Sequence, residues 1–280
     1  MTGLLLATDL SPHADRALDR AALLAAGHGN TLHVLHVVAR DLRSGPAYDA
    51  AVAAAAGQLD RDIAEAGLPA ALALVAMVRA GKPEVAIIQA AAEVGCDMVV
   101  MAAAHSDLVV QIFRGSVVHR VVREAPSPVL VVRRRARQAY RRIVVAVDLS
   151  MPSRRALELA LRLLSGPAMA AAEITVVHAC AVSSPPNQQM EQRTRIEDML
   201  GGALARHASA GGTAPGRTEI IVAPGVPEQV VAEAVDRQRA ELVVAGTMGI
   251  GAVANLLLGS TAEALLATLP CDVLAVRAAD

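Results

Sequence analysis

The sequence predicts two α/β domains of the doubly wound kind within one chain of 280 residues. Two observations support this fold class. Short aliphatic runs alternate with longer helical patterns, and the whole alternation occurs twice along the chain. Such a length accommodates two ordinary domains. Right-handed βαβ crossovers would place helices on both faces of each parallel sheet.

The repeat is an internal duplication, because the matched segments keep the same order in both halves. Residues 4–11 match residues 143–150, and both segments are aliphatic strands that end in Asp-Leu-Ser. The other matched pairs are 16–18 with 155–157, 32–36 with 174–178, 81–84 with 225–228, 115–116 with 259–260, and 125–133 with 269–277. We therefore predict two domains, residues 1–137 and 138–280, that meet in the charged segment 134–141.

The alternation predicts the individual elements of each copy. In the first copy the predicted strands are 3–9, 31–38, 71–78, 97–103 and 128–133. Helical patterns there fill 12–27, 48–66, 83–94 and 115–125. In the second copy the predicted strands are 142–148, 173–180, 217–223, 241–246 and 272–277. Ser11 and Ser150 are candidate helix N-caps, each close to a proline that suits a first helical turn.

Composition restricts the core and the possible partners. Apolar residues make up 54% of the chain, but Phe113, Tyr48 and Tyr140 are the only aromatic ones, so the core must be aliphatic. A formal net charge of −1 gives no general attraction to nucleic acid or to an acidic membrane. The uncharged stretch 242–262 approaches the length of a membrane span, but its glycines and polar residues indicate strand, loop and helix start.

Lysine and cysteine usage narrows the chemistry further. Lys82 is the only lysine and does not lie in a GxxxxGK[ST] loop, which excludes a Walker-type phosphate site and makes lysine Schiff-base chemistry improbable. Cys96, Cys180 and Cys271 are widely spaced and predict buried free thiols in a reducing compartment. With no targeting segment evident, we expect a cytoplasmic location.

The strongest candidate site follows the fourth strand of the second copy. Gly246, Gly249 and Gly259 would let the backbone approach an anion closely. A helix that begins near Gly259 would direct free N–H groups at the same point, and Ser260 and Thr261 would add hydroxyl donors. Asp148, at the end of the first strand of this copy, can accept hydrogen bonds from a ribose or a base. The constellation predicts a phosphate cradle that needs no lysine.

In these motifs the chain resembles two universal stress protein domains in tandem. The family pattern G-x2-G-x9-G-[ST] is matched by Gly246, Gly249, Gly259 and Ser260. The resemblance implies a five-stranded parallel sheet of order 3-2-1-4-5, pairing of the domains through strand 5, and a possible homodimer. It also implies ATP, AMP or ADP as ligand in the second domain, held by Asp148 and by the backbone at Ala179 in addition to the glycine loop.

The first copy departs from that pattern. Ala102 and His105 stand where the second copy has Gly246 and Gly249, and Asp107 adds a nearby negative charge. The imidazole would occupy space that a phosphate needs. Asp9, Gly115 and Ser116 persist, so whether the first copy binds any ligand stays open.

Simpler interpretations stand beside these. Asp148 could serve as a helix cap, and the second-copy glycines as turn residues. His36 and His178, which end strands, favour a structural role, and no histidine or cysteine spacing indicates a metal site. The arginines of 133–142 favour a solvated linker.

The predicted function is a stress-response regulator with little or no turnover. The alternatives are a scaffold that binds no nucleotide, a slow ATPase, or an adenylating enzyme of a related fold. The adenylating class is disfavoured because its SGGxDS and HxGH signatures are missing.

Overall fold

The computed structural model describes residues 3–38, 45–103, 116–163, 172–247 and 258–277. The chain divides into two compact units, Met1–Gln138 and Ala139–Asp280. Each unit holds a five-stranded parallel sheet, in agreement with the predicted fold class.

The first unit alternates strands with helices throughout its described part. Its strands are β1 Gly3–Thr8, β2 Thr31–Val38, β3 Leu74–Ala80, β4 Met98–Ala102 and β5 Val129–Val132. Its helices are α1 Asp15–His28, α2 Pro46–Glu65, α3 Pro83–Val94 and α4 Val117–Glu124. The helix α3 packs beside α4.

The second unit repeats this order of elements. Its strands are β6 Arg142–Ala146, β7 Glu173–Cys180, β8 Arg217–Pro224, β9 Leu242–Gly246 and β10 Asp272–Val276. Its helices are α5 Met151–Leu163, α6 Pro186–Ser209, α7 Pro227–Gln238 and α8 Ser260–Thr268. The pairs α5 with α6 and α7 with α8 pack side by side.

The predicted strand order is confirmed in both units. In the first it is β3-β2-β1-β4-β5, and in the second β8-β7-β6-β9-β10. The central strand of the second unit, β6, lies parallel to both neighbours, and its Val145 stands opposite Val176 of β7 and Val244 of β9. Since the chain leaves β6 towards β7 and later returns on the other side of it, the switch point lies between β6 and β9.

The core is aliphatic, as the composition predicts. The strand segments Leu4–Leu6 and Ile143–Val145 are fully buried, which is expected of parallel strands covered by helices on both faces. Tyr140 is the one aromatic residue among the largest fully buried side chains of the described part. Its hydroxyl donates a hydrogen bond of 2.6 Å to the Asp272 carboxylate, which is itself 1% exposed.

Two predicted element starts are wrong by three residues. The third strand begins at Leu74 instead of residue 71, because Leu72 N–H closes a turn onto the Pro69 carbonyl. Ser11 does not cap the first helix, which begins at Asp15 after Ala14. Ala14 N–H closes a turn onto the Ser11 carbonyl, and the first regular helical bond runs from Leu18 N–H to the Ala14 carbonyl, while Arg16 Nε donates to the His13 carbonyl.

In the second unit the predicted cap is present. Ser150 Oγ accepts a hydrogen bond of 3.3 Å from Ser153 N–H, at the start of α5. The repeated Gly-x-Pro-Glu motif also has a local reason. Gly81 and Gly225 have φ of +133° and +152°, a region that residues other than glycine rarely adopt. They stand two residues before the prolines at which α3 and α7 begin.

The cysteine prediction is confirmed for burial, since Cys96, Cys180 and Cys271 are all buried and free. Burial raises the pKa of the Cys96 thiol above its ordinary range, so this group stays protonated and unreactive near neutral pH. Among the described residues, no helix combines the length and the apolar character that crossing a membrane requires.

Replacing Tyr140 by phenylalanine should destabilise the second unit. The change removes a donor from a buried carboxylate while keeping the ring, so we expect a loss of about 1–3 kcal/mol in the free energy of unfolding. Urea unfolding followed at methyl resonances of the second unit would measure it. Tyr48→Phe, at the half-buried start of α2, is the matched control and should change stability by less than about 0.5 kcal/mol. Equal effects of the two substitutions would contradict the importance of this bond.

Candidate functional site

A cavity of about 480 Å³ lies at the carboxyl ends of β6, β7 and β9 in the second unit. The amino-terminal ends of α7 and α8 complete its walls. Its lining brings together the predicted site residues Asp148, Ala179, Gly246, Gly259, Ser260 and Thr261. The seventh predicted residue, Gly249, lies outside the described residues.

Asp148 is held in a strained turn at the end of β6. The next residue, Leu149, has φ of +65°, a left-handed conformation that costs a non-glycine residue roughly 1–2 kcal/mol. The Asp148 carboxylate accepts hydrogen bonds from the N–H (3.0 Å) and the hydroxyl of Ser150, and Ser153 Oγ accepts one of 3.3 Å from Asp148 N–H. The carboxylate therefore organises the start of α5 and also borders the cavity.

A histidine near the end of β7, His178, stabilises the same edge of the sheet. His178 is buried, and its Nδ1 donates to the Val147 carbonyl over 2.8 Å. In the first unit His36 Nδ1 bonds in the same way to the Thr8 carbonyl over 3.0 Å. Because a carbonyl can only accept, each ring carries its proton on Nδ1. These bonds tie neighbouring strand ends together and give both histidines a structural role.

The start of α8 offers backbone donors to the cavity. Gly259 is its N-cap residue, and the first helical hydrogen bond runs from Glu263 N–H to the Gly259 carbonyl over 2.9 Å. The N–H groups of Ser260, Thr261 and Ala262 have no acceptor within the described ranges, and all three residues line the cavity. Such donors, together with the helix dipole, bind anions.

Gly246 also has a packing role that the sequence did not suggest. A Cβ at this position would lie 2.9 Å from Pro152 Cβ and 3.1 Å from Ser153 N. Its φ is not in the left-handed region, so the constraint is the close approach of α5 to the end of β9. Glycine here permits helix packing, and that packing fixes one wall of the cavity.

The first unit has a corresponding cavity of about 360 Å³, bordered by Asp9, Ala102 and Ser116 among others. Here the last helix starts one residue later in the repeat, because Ser116 is its N-cap and accepts a hydrogen bond of 3.1 Å from His119 N–H. The equivalent Ser260 is already inside α8. The predicted features His105, Asp107 and Gly115 lie outside the described residues.

The sequence reasoning gave no role to a repeated arginine. Arg16 donates to three carbonyls: Nε to His13 (2.8 Å), Nη1 to Arg133 (2.9 Å) and Nη2 to Ala103 (3.0 Å). Arg155, its counterpart in α5, has no hydrogen bond or ion pair to any described residue. The carbonyl of Thr247, which corresponds to Ala103, accepts instead from Gly259 N–H over 2.8 Å. The two matching Arg-Ala-Leu segments in the sequence could have drawn attention to this arginine.

No group of three or more histidine, cysteine or acidic side chains is placed to hold a metal ion in the part of the chain that the structure describes. The donors of the cavity are backbone N–H groups and hydroxyls, which suit an anion and not a cation.

The duplicated fold agrees with a comparison of family sequences. A sequence model of the universal stress protein family matches residues 1–133 and again residues 139–277. The chain belongs to the universal stress protein family.

Individual universal stress proteins agree with the assignment. One from Thermus aquaticus is 39% identical over 61 residues, which are 22% of this chain and 44% of that protein, so the match spans less than half of the relative. The crystal structure of one from Archaeoglobus fulgidus DSM 4304 superposes with a TM-score of 0.74 at 21% identity, covering 99% of this chain and 97% of the other.

A candidate universal stress protein from Pseudomonas aeruginosa UCBPP-PA14 gives a TM-score of 0.68, also at 21% identity, over 99% of this chain and 93% of its own. At such identities the two structural matches establish the fold alone.

Replacing Gly246 by alanine should destabilise the second universal stress protein domain. The added Cβ would push against the Pro152 backbone, where helix and strand have no room to separate freely, so we expect a loss of about 1–3 kcal/mol. Chemical denaturation would measure it. Gly201→Ala, on an exposed face of α6 where an added Cβ meets nothing within 4 Å, is the control and should stabilise by about 0.5–1 kcal/mol. A neutral Gly246→Ala variant would show that the contact relaxes without cost.

Proposed function

We propose that this universal stress protein binds one adenine nucleotide, ATP or AMP, in its second unit and acts as a cytoplasmic stress-response regulator with little or no turnover. The observation that carries the proposal is the set of N–H groups of Ser260, Thr261 and Ala262, which have no acceptor among the described residues and belong to residues that line a cavity of about 480 Å³. The first N–H groups of a helix lack partners within the helix, and an anion at the helix start satisfies them.

The rest of the cavity is consistent with a nucleotide. Asp148, at one side, would accept hydrogen bonds from ribose hydroxyls, and the backbone at Ala179 would meet the base. The apolar side chains of Val177, Val231 and Leu265 would cover the face of the base. The phosphates would then lie against the first turn of α8.

The same residues give little support to rapid hydrolysis. Among the described residues that line the cavity, Asp148 is the only carboxylate, and its side chain already orders the Ser150 turn. A carboxylate held in that way is poorly placed to activate water. We therefore propose that occupancy, and not chemistry, is the signal that the protein provides.

The first prediction of the proposal is its stoichiometry. We expect isothermal titration calorimetry with ATP to give one site per chain. In the first unit Ser116 caps one N–H group at the start of the last helix, and the Arg16 guanidinium is already bonded to backbone carbonyls. Asp148→Ala should weaken ATP binding by roughly threefold to tenfold, since it removes a partly solvated hydrogen bond. Asp9→Ala, at the equivalent place in the first unit, should leave ATP affinity unchanged. Two sites per chain would contradict the asymmetry.

A second prediction concerns Arg155, an arginine without a partner among the described residues. Its counterpart Arg16 reaches the carbonyl that follows β4, and the corresponding residue in the second unit, Thr247, lines the cavity. We propose that Arg155 extends towards the same edge as Arg16 does and contributes charge to bound phosphates there. Arg155→Gln should weaken ATP by about fivefold to tenfold while leaving adenosine affinity unchanged.

The adjacent exposed Arg154 is the matched control for this measurement, and Arg154→Gln should affect neither ligand. If Arg155→Gln weakened ATP and adenosine equally, the arginine would act on the shape of the site and not on the phosphates.

A further inference from the structure

We propose that the cavity of the first unit binds a small molecule with an apolar body and a hydrogen-bond donor at one end, uncharged or cationic, and that it excludes phosphates. This inference does not depend on nucleotide binding in the second unit. It rests on a comparison of two cavities that occupy the same place in two copies of one fold.

The first cavity is narrower and more apolar than the second. Its volume is about 360 Å³, against about 480 Å³. Larger side chains account for the difference, since Met101 stands where the second unit has Ala245 and Val37 where it has Ala179. These walls favour aliphatic groups, because burying apolar surface contributes roughly 25 cal/mol per Å².

The helix start has also lost anion-binding groups. Val117 replaces Thr261 as a lining residue, so a hydroxyl becomes a branched apolar side chain. Ser116 Oγ is engaged as the acceptor of His119 N–H over 3.1 Å. The serine at this position thus caps its own helix in the first unit, whereas Ser260 already lies inside α8.

The charge of the first cavity points the same way. Asp9 lies at its rim, exposed, and its Oδ1 accepts a hydrogen bond of 3.0 Å from Ser11 N–H. No lysine or arginine is among the described lining residues. Arg16 lies on α1, but its guanidinium donates hydrogen bonds to the carbonyls of His13, Ala103 and Arg133 and so does not neutralise Asp9. A carboxylate with no lysine or arginine beside it among the described lining residues attracts donors and repels anions.

The polar groups at the rim of the cavity indicate which functional group the ligand would carry at one end. The Asp9 carboxylate and the Ser11 hydroxyl can accept hydrogen bonds, and the apolar walls lie deeper between the sheet and α3. A hydroxyl or an ammonium group at one end of an aliphatic or alicyclic body fits both features. A carboxylate or a phosphate at that end would meet Asp9.

A matched set of three probes tests the inference: hexan-1-ol, hexylamine and hexanoate, which share a chain and differ in the charge of the head group. They are titrated into the intact chain at pH 8. Methyl resonances of Met101 and Leu35 report binding in the first cavity, and those of Val177 and Leu265 report the second.

We expect hexan-1-ol and hexylamine to shift the first-unit resonances at lower concentrations than hexanoate does. Asp9→Asn keeps an oxygen for the Ser11 turn but removes the charge, so it should reduce the preference for hexylamine over hexanoate by roughly threefold, the effect of a partly exposed ion pair. Asp148→Asn, its counterpart, should leave these shifts unchanged.

Failure of all three probes to shift Met101 or Leu35, or a preference for hexanoate, would overturn the inference. So would an Asp9→Asn variant with an unaltered preference. None of these outcomes bears on ATP in the second unit, because the probes carry no nucleotide and the resonances of the two cavities are read separately.

Discussion

A parallel sheet that is buried on both faces confines polar chemistry to its ends, and this constraint organises both halves of the protein. The interior of each central strand is wholly aliphatic, as in Leu4–Leu6 and Ile143–Val145. Polar side chains can therefore appear only where the strands stop, next to the unsatisfied N–H groups of the helices that follow. Asp148 and the first turn of α8 meet at such a place, and so do Asp9 and α4.

A strained turn follows the first strand of each unit at this edge of the sheet. Leu10 and Leu149 both adopt a positive φ of +58° and +65° directly after the strand 1 aspartate, although leucine rarely enters that region. The aspartate carboxylate offsets part of this strain, because it accepts a hydrogen bond of 3.0 Å from the N–H of the serine two residues later in each unit. Two copies with otherwise divergent cavities have kept the same unfavourable turn, which indicates that it positions the carboxylate at the cavity rim.

Much of the fold could be read from the sequence, because aliphatic runs and a duplicated order of motifs report burial and topology directly. The cavity residues Asp148, Gly259 and Ser260 were also accessible, since each stands at a predicted strand end or helix start. The role of Gly246 was not, because the atom that excludes a Cβ belongs to Pro152, which is distant in sequence. The later start of α1 was hidden for a related reason: the Arg16 guanidinium bonds to the His13 carbonyl just before the helix, and the residue types there do not indicate this contact. Side-chain hydrogen bonds of this kind leave no periodic signal.

The two equivalent arginines have different partners in the two copies of the fold. In the first unit Arg16 is a structural cation that joins the ends of β4 and β5 through the carbonyls of Ala103 and Arg133. In the second unit the equivalent Thr247 carbonyl accepts a hydrogen bond from Gly259 N–H, α8 begins one residue earlier in the repeat, and Arg155 has no such partner among the described residues. Both the earlier helix start and an arginine that no described carbonyl holds favour an anion in the second cavity. Among the described residues that line the first cavity, Asp9 is the one carboxylate and no lysine or arginine accompanies it.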